Sequence, residues 1–124
     1  HGMSRPIGAL FHVPHGLSNA MLMEACFNFA LDGAYDRFAE VARYCGVSTA
    51  SDDKTAAEDL MAAIHALLEE LNVPTLEQFG VERTAFYAAI EKMANDAQAS
   101  GSPANTIKSV TVEDMQALYR EVYA

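Results

Sequence analysis

The sequence has few basic residues, and they are scattered along the chain rather than clustered. Of its 124 residues, 8 are Lys or Arg and 17 are Asp or Glu, which gives a formal net charge of -9. Binding to a nucleic-acid backbone depends on clustered cations that displace condensed counterions. The charge pattern therefore argues against nucleic acid as a partner.

Long apolar runs and cysteines are also scarce. No uninterrupted apolar stretch reaches the ~18 residues needed to span a bilayer, and no secretory leader pattern is recognisable. Cys26 and Cys45 are the two cysteines. Both stand in apolar helical stretches, which favours reduced core thiols over a disulfide. We therefore expect no membrane association and a reducing, cytoplasmic setting.

Strand-like alternation is absent over any convincing length, whereas apolar residues recur at spacings of three and four. Leu, Ala and Met dominate the hydrophobic residues, which favours helix over sheet. Three capping-box patterns predict helix starts: Thr55-x-x-Glu58, Thr75-x-x-Gln78 and Thr111-x-x-Asp114. We predict one all-α, bundle-like domain of five to seven helices over residues 1–124.

Two of the predicted helices differ in how they should be buried. The segment from Leu17 to Ala30 carries one charged residue, Glu24, and a helix that is apolar on all sides is usually buried on all sides. The segment 82–98 is amphipathic instead. Its predicted inward-facing residues are Phe86, Ile90, Met93, Ala94 and Ala97.

Four histidines are candidates for chemistry: His1, His12, His15 and His65. His65 lies off the apolar stripe of its helix, so we interpret it as a solvated surface residue. His12 and His15 have a spacing sometimes seen in metal pairs, but Pro14 prevents an ordinary helix from aligning their rings. Spacing alone therefore does not establish a metal site.

The first 23 residues carry the most distinctive pattern, HGMSRPIGALFHVPHGLSNAMLM. This stretch resembles the metal-binding segment of iron-containing (group III) alcohol dehydrogenases. That family typically shows His-x-Met-x-His-x-Leu-Gly and, several residues later, Pro-His-Gly-x-x-Asn-Ala-x-Leu-Leu-Pro. A looser resemblance continues to the C-terminus through Ser102–Asn105, Thr111–Asp114 and Leu118-Tyr119. The resemblance thus covers the whole chain, although its specific motif is confined to the start.

The resemblance implies that His1 and His15 are two ligands of a divalent metal, Fe²⁺ or Zn²⁺. The other two ligands of the family, an Asp and a His four residues apart on an earlier helix, have no counterpart here. NAD or NADP would be bound by an N-terminal domain that this sequence lacks. The chain would then be the C-terminal helical domain of a dehydroquinate synthase-like fold, inactive alone. Its parent would transfer hydride between nicotinamide and a metal-polarised alcohol or aldehyde.

Several residues depart from the family pattern or extend it. Arg5 stands where many members have a second His near the nicotinamide, and we hypothesise that it favours a substrate carrying a carboxylate or stabilises developing negative charge. The alternative is an outward Arg paired with a surface carboxylate. Asn19 is expected to support the His15 turn, while His12 either lines the cleft or is a loop residue. Met23-Glu24 and Thr106–Lys108 also differ from the family.

Two other interpretations remain open at this point. The chain could be a stand-alone acidic helical module that recruits a protein partner, but such a module has no need for a Gly- and Pro-rich segment bearing histidines. It could also be a family member that has lost activity, with Arg5 as the mark of that loss. If upstream helices are missing, apolar surface on the Leu17–Ala30 helix is uncovered. We then expect homo-oligomerisation or association with the missing domain.

Overall fold

Seven helices lie within residues 2–101 and 109–124, which are the residues that the computed structural model describes. The helices are α1 Ser4–Phe11, α2 His15–Leu31, α3 Tyr35–Tyr44, α4 Asp53–Glu70, α5 Leu76–Phe79, α6 Arg83–Ala99 and α7 Val112–Val122. The described residues contain no strand, which confirms the all-α prediction. His1, Ser102–Asn105 and Thr106–Lys108 lie outside the described residues. Among the described helices, none has the length and apolar character needed to cross a membrane.

Two of the predicted capping boxes are present. At the start of α5, the Thr75 hydroxyl accepts from the Gln78 backbone N–H at 3.1 Å, and the Gln78 side chain accepts from the Thr75 N–H at 3.0 Å. Thr111 and Asp114 form the same reciprocal pair at the start of α7. Both boxes satisfy backbone donors that the helix itself leaves unpaired.

The predicted capping box at Thr55 and Glu58 is wrong. The cap of α4 is Asp52, whose carboxylate accepts from both the backbone N–H and the hydroxyl of Thr55, at 2.9 and 2.8 Å. Asp is at least as favourable as Thr at an N-cap position. The helix therefore begins directly after Asp52, before Thr55 is reached. The two hydrogen bonds from Thr55 hold the pKa of the Asp52 carboxyl below its usual value.

The main core is formed by α1, α2, α6 and α7, together with the α5 segment. The inward face predicted for α6 is confirmed, because all five of its residues are buried. Aromatic rings fill the centre, with Phe86 packed against Tyr119 and Tyr123 at centroid separations of 6.2 and 5.3 Å. Burial of such large rings contributes much of the apolar stabilisation of a small domain.

The α3–α4 hairpin packs beside this core on a smaller set of side chains. Ala39, Ala42 and Ala56 are fully buried at its centre, so the two helices approach each other closely. The Arg43 guanidinium fixes the connecting loop by donating to the Ala50 carbonyl at 3.0 Å and pairing with Asp53 at 2.9 Å. The hairpin contacts the core chiefly through α2.

Helix α2 is not buried on all sides, contrary to the sequence-based expectation. Leu22 and Ala25 are buried, but Met21 and Met23 are half-buried and Phe27 is 39% exposed. The reason is that α1, α4 and α7 contact only part of its circumference. An almost charge-free helix thus leaves apolar surface uncovered in this chain.

The two cysteines are free, in agreement with the expected reduced state. Cys26 is half-buried against the main core, and desolvation by burial raises the pKa of its thiol. Cys45 is exposed at the end of α3, so the prediction of a core thiol is wrong for this residue. Cys45 is the C-cap residue of α3 and lies beyond its last helical residue, and the following Gly46 has a φ of 76°.

Two tyrosine hydroxyls tie α7 to distant parts of the chain. Tyr119 donates to the Met3 carbonyl at 2.6 Å, across 116 positions of sequence, and Tyr123 donates to the Val81 carbonyl at 2.7 Å. Both tyrosines are buried. Burial raises the pKa of the Tyr119 phenol, so this group stays protonated and remains a donor.

His65 connects α4 to α2 on the surface of the domain. Its Nδ1 lies 2.7 Å from a Glu24 carboxylate oxygen, and its Nε2 lies 3.1 Å from Glu69 on the following turn. The residue is on the surface as predicted, with 53% of its side chain exposed, but two carboxylates hold it. The hydrogen bond and charge of Glu24, followed by the charge of Glu69, raise the pKa of the imidazole.

This arrangement predicts a stability contribution that depends on pH. A group whose pKa is raised on folding stabilises fully below its unfolded pKa of about 6.5, and the contribution is lost as pH rises through the folded pKa. We expect His65→Gln to lower Tm more at about pH 5.5 than at about pH 8.5. Thermal unfolding followed by circular dichroism at both pH values measures this.

Lys92→Gln is the matched control for this prediction. It breaks an exposed ion pair with Asp96 of 2.7 Å, and that pair contains no histidine. Its loss of Tm should therefore be the same at both pH values. An equal loss of Tm at both pH values for His65→Gln would contradict the assigned role of the imidazole.

Candidate functional site

The candidate site is built around His15, the first residue of α2. Pro14 precedes it as the N-cap residue, with φ of -54° and ψ of 139°. A proline at this point prevents α1 and α2 from joining into one helix, because its ring restricts φ and the residue before it avoids helical geometry. The imidazole of His15 is consequently placed at an exposed helix start, beside the corner between the two helices.

The corner itself is tight. His12 ends α1 in the left-handed conformation, with φ of 57°, and its N–H donates to the Gly8 carbonyl at 3.0 Å. A Cβ at Gly8 would lie 3.3 Å from the Val13 carbonyl oxygen, which is closer than side chains normally approach. Glycine at position 8 therefore lets the chain fold back and brings the start of α1 near the start of α2.

Among the described residues, one side chain lies within hydrogen-bonding distance of each nitrogen of the His15 ring. Ser4 Oγ lies 3.4 Å from Nδ1, and Asn19 Nδ2 lies 3.2 Å from Nε2. Ser18 donates its hydroxyl to the His15 carbonyl at 3.0 Å. Ser4 and Ser18 are fully buried, and Asn19 is half-buried. The ring is thus held from a buried side and from its own helix.

Sequence reasoning anticipated only part of this arrangement. The contact of Asn19 agrees with the expectation that it supports the His15 turn, because residues four apart share one helix face. Ser4 and Ser18 were missed. Ser18 could have been found from its i+3 spacing to His15. Ser4 gives no such signal, since it reaches His15 only after the chain has turned at the corner.

The remaining predicted residues are more loosely connected to the site. Arg5 is exposed on the first turn of α1 and forms no ion pair with any residue that the structure describes. The alternative of an Arg paired with a surface carboxylate therefore finds no support among the described residues. His12 is an exposed corner residue. His1, the other predicted ligand, lies outside the described residues.

A metal ion bound by a protein needs several ligand side chains around one point. Within residues 2–101 and 109–124, no group of three or more His, Cys, Asp or Glu side chains is placed to hold a metal ion. His15 itself fits a ligand role, because a metal-binding imidazole normally has an oxygen partner at its other ring nitrogen, as Ser4 provides at Nδ1. Such sites usually have three or four protein ligands, and His15 would supply one of them.

Comparison with known proteins identifies the protein family to which the chain belongs. Residues 1–123 match the Fe-containing alcohol dehydrogenase family, C-terminal. The chain belongs to this family, and the resemblance first seen in its opening residues is confirmed.

Curated relatives agree with the family assignment. The chain is 34% identical over 115 residues to the bifunctional aldehyde-alcohol dehydrogenase AdhE of Escherichia coli K12, covering 78% of this chain and 13% of that protein. It is 27% identical to lactaldehyde reductase of the same organism, covering 99% of this chain and 32% of the relative. The chain thus spans about a third or less of these relatives.

Solved structures show the same fold. A 1,3-propanediol oxidoreductase superimposes with a TM-score of 0.89 at 26% identity, covering 99% of this chain and 32% of that one. An alcohol dehydrogenase from Oenococcus oeni superimposes with a TM-score of 0.86 at 27% identity, with the same coverage. The helical arrangement of the described residues is therefore a fold that these larger proteins contain as one part.

Proposed function

We propose that this chain is the C-terminal helical part, residues 1–124, of a metal-dependent, NAD(P)-dependent alcohol dehydrogenase or aldehyde reductase. Its contribution to the active site would be two imidazole ligands, His1 and His15. The observation that carries the proposal is the His15 ring, exposed at the start of α2 and contacted at both nitrogens. The family match over residues 1–123 supports it.

The role of the chain's own residues follows from this geometry. Fe²⁺ or Zn²⁺, when bound, supplies Lewis-acid polarisation of an alcohol or carbonyl oxygen, while NAD or NADP carries the hydride. The α1–α2 corner keeps the His15 ring at the edge of the domain, where ligands from another part of the polypeptide can reach the same ion. Ser4 and Asn19 restrict the rotation of the ring.

The remaining ligands and the nucleotide site would belong to a preceding domain. Two observations support this division. The described residues hold too few ligand side chains for a complete site, and α2 leaves apolar surface uncovered, including Phe27 at 39% exposure. We propose that this surface is covered by that domain, or by a second copy when the chain is isolated. The free Cys26 and Cys45 agree with a reducing, cytoplasmic setting.

The alternative of a stand-alone interaction module receives no comparable support. The chain aligns with the family over nearly its whole length, and its relatives carry the names of dehydrogenases and reductases. An inactive family member is an outcome that the following experiment distinguishes.

One prediction of the proposed function concerns metal binding in the complete polypeptide that carries this chain. Reconstituted anaerobically with Fe²⁺, or separately with Zn²⁺, it should bind about one ion per chain and oxidise NADH or NADPH with a short aldehyde. His15→Ala should lower metal occupancy roughly tenfold or more, since even indirect partners of ligands have effects of that size. Elemental analysis and the decay of nicotinamide absorbance measure the two properties.

His12→Ala is the matched control, because it removes a neighbouring exposed imidazole from the corner. It should leave occupancy within about twofold of the unaltered protein. Full metal occupancy in His15→Ala would overturn the ligand assignment. Stoichiometric metal without any reductase activity in the unaltered protein would instead indicate a member that has lost its function.

Another prediction concerns Arg5, which we propose to face the substrate and to favour a carboxylate or developing negative charge. Its exposure and its lack of an ion-pair partner among the described residues support this. Arg5→His should lower the ratio of kcat/KM for a carboxylate-bearing aldehyde to that for a neutral aldehyde of equal length. We expect a decrease of about tenfold, typical of one lost charge-assisted hydrogen bond.

Arg120→His serves as the control, because Arg120 is exposed on α7. Its kcat/KM ratio should not change. If Arg5→His also leaves the ratio unchanged, the proposed role of Arg5 in substrate preference is refuted.

A further inference from the structure

The His15 ring has a different kind of partner at each nitrogen. Ser4 Oγ, at 3.4 Å from Nδ1, can accept or donate a hydrogen bond. Asn19 Nδ2, at 3.2 Å from Nε2, can only donate. A neutral imidazole carries one proton. When Nε2 accepts from Asn19, that proton is on Nδ1, where it can be donated to Ser4.

We propose that Ser4 and Asn19 act together as positioning residues that select the Nδ1–H tautomer of His15 and leave the lone pair on Nε2. Under the proposed function, on which this inference rests, Nε2 is then the nitrogen available to a divalent cation. Which ring nitrogen binds a metal is set by the hydrogen bond that the other one makes. Ser4 sets it from α1, although it lies 11 positions from His15.

The two positioning residues differ in how firmly they are held. Ser4 is fully buried at the start of α1. Asn19 lies on the same helix as His15, one turn further, and is half-buried. The Ser4 contact is long for a hydrogen bond, so we expect it to favour the Nδ1–H tautomer only modestly. Cation binding at Nε2 requires the Asn19 amide to give up its hydrogen bond, whereas the Ser4 contact can persist.

The test is the tautomer of the His15 ring, read directly by NMR. The complete polypeptide is prepared free of metal, with ¹⁵N in its histidine rings, and studied at about pH 9, well above the ordinary pKa of a free imidazole. A two-bond ¹H–¹⁵N correlation spectrum distinguishes the protonated from the unprotonated ring nitrogen. The His15 signals are assigned by their absence in His15→Gln. The unaltered protein should show mainly the Nδ1–H form.

Two substitutions should change the ratio of tautomers. Ser4→Ala removes the hydroxyl that contacts Nδ1, and the ratio of Nδ1–H to Nε2–H should fall about fivefold, the equivalent of one ordinary hydrogen bond. Asn19→Asp replaces a donor by a group that can only accept, so Nε2–H should become the major form. Ser48→Ala removes a buried hydroxyl that donates to Asp59 at 2.6 Å and should leave the ratio unchanged.

These outcomes separate positioning from a merely structural role. If Ser4 only packs in the interior, Ser4→Ala lowers Tm while the tautomer ratio stays constant, and the proposal fails. It also fails if the unaltered protein is mainly in the Nε2–H form. Because the spectra are recorded without metal, full metal occupancy in His15→Ala would overturn the proposed function and leave the tautomer result standing.

Discussion

The hydrogen bond from Tyr119 to the Met3 carbonyl is the constraint on which the candidate site depends. It joins the last helix to the residue that precedes α1, at 2.6 Å and out of contact with solvent. Hydrogen bonds in such surroundings are effectively stronger, and an unpaired buried carbonyl is costly. Met3 is thereby held against α7, and α1 begins from a fixed point.

The position of the His15 ring follows from that fixed point in two steps. Ser4 directly follows Met3. The buried side chains of Pro6 and Ile7 pack α1 against the core. The corner at Gly8 and His12 then returns the chain so that His15 lies beside Ser4. A contact at one end of the molecule thus orients a side chain on a different helix.

Much of the fold could be predicted because helix signals are local. The capping boxes at Thr75 and Thr111 and the buried face of α6 depend on residues within one or two turns. The start of α4 was misplaced because Asp52 and Thr55 both form caps, and only the folded chain shows which one does so. The exposure of α2 was not predicted, because the pattern of apolar residues describes the surface of one helix. It does not show which neighbouring helices are present to cover that surface.

The site was predictable only where a family motif or helical spacing marked it. His15 was identified by the resemblance, and Asn19 by its place one turn later. The contacts of Ser4 with His15 and of Tyr119 with Met3 join residues 11 and 116 positions apart. No pattern in a single sequence marks such pairs, because they are created by the packing of helices against one another.

The most direct test of this account is amide hydrogen exchange in the Tyr119→Phe variant, with Tyr123→Phe as the matched control. Each variant loses one buried phenol–carbonyl hydrogen bond, which should cost about 1–3 kcal/mol. If Tyr119 holds the start of α1, exchange within Ser4–Phe11 should accelerate in Tyr119→Phe and much less in Tyr123→Phe. Equal protection of α1 in the two variants would contradict the account.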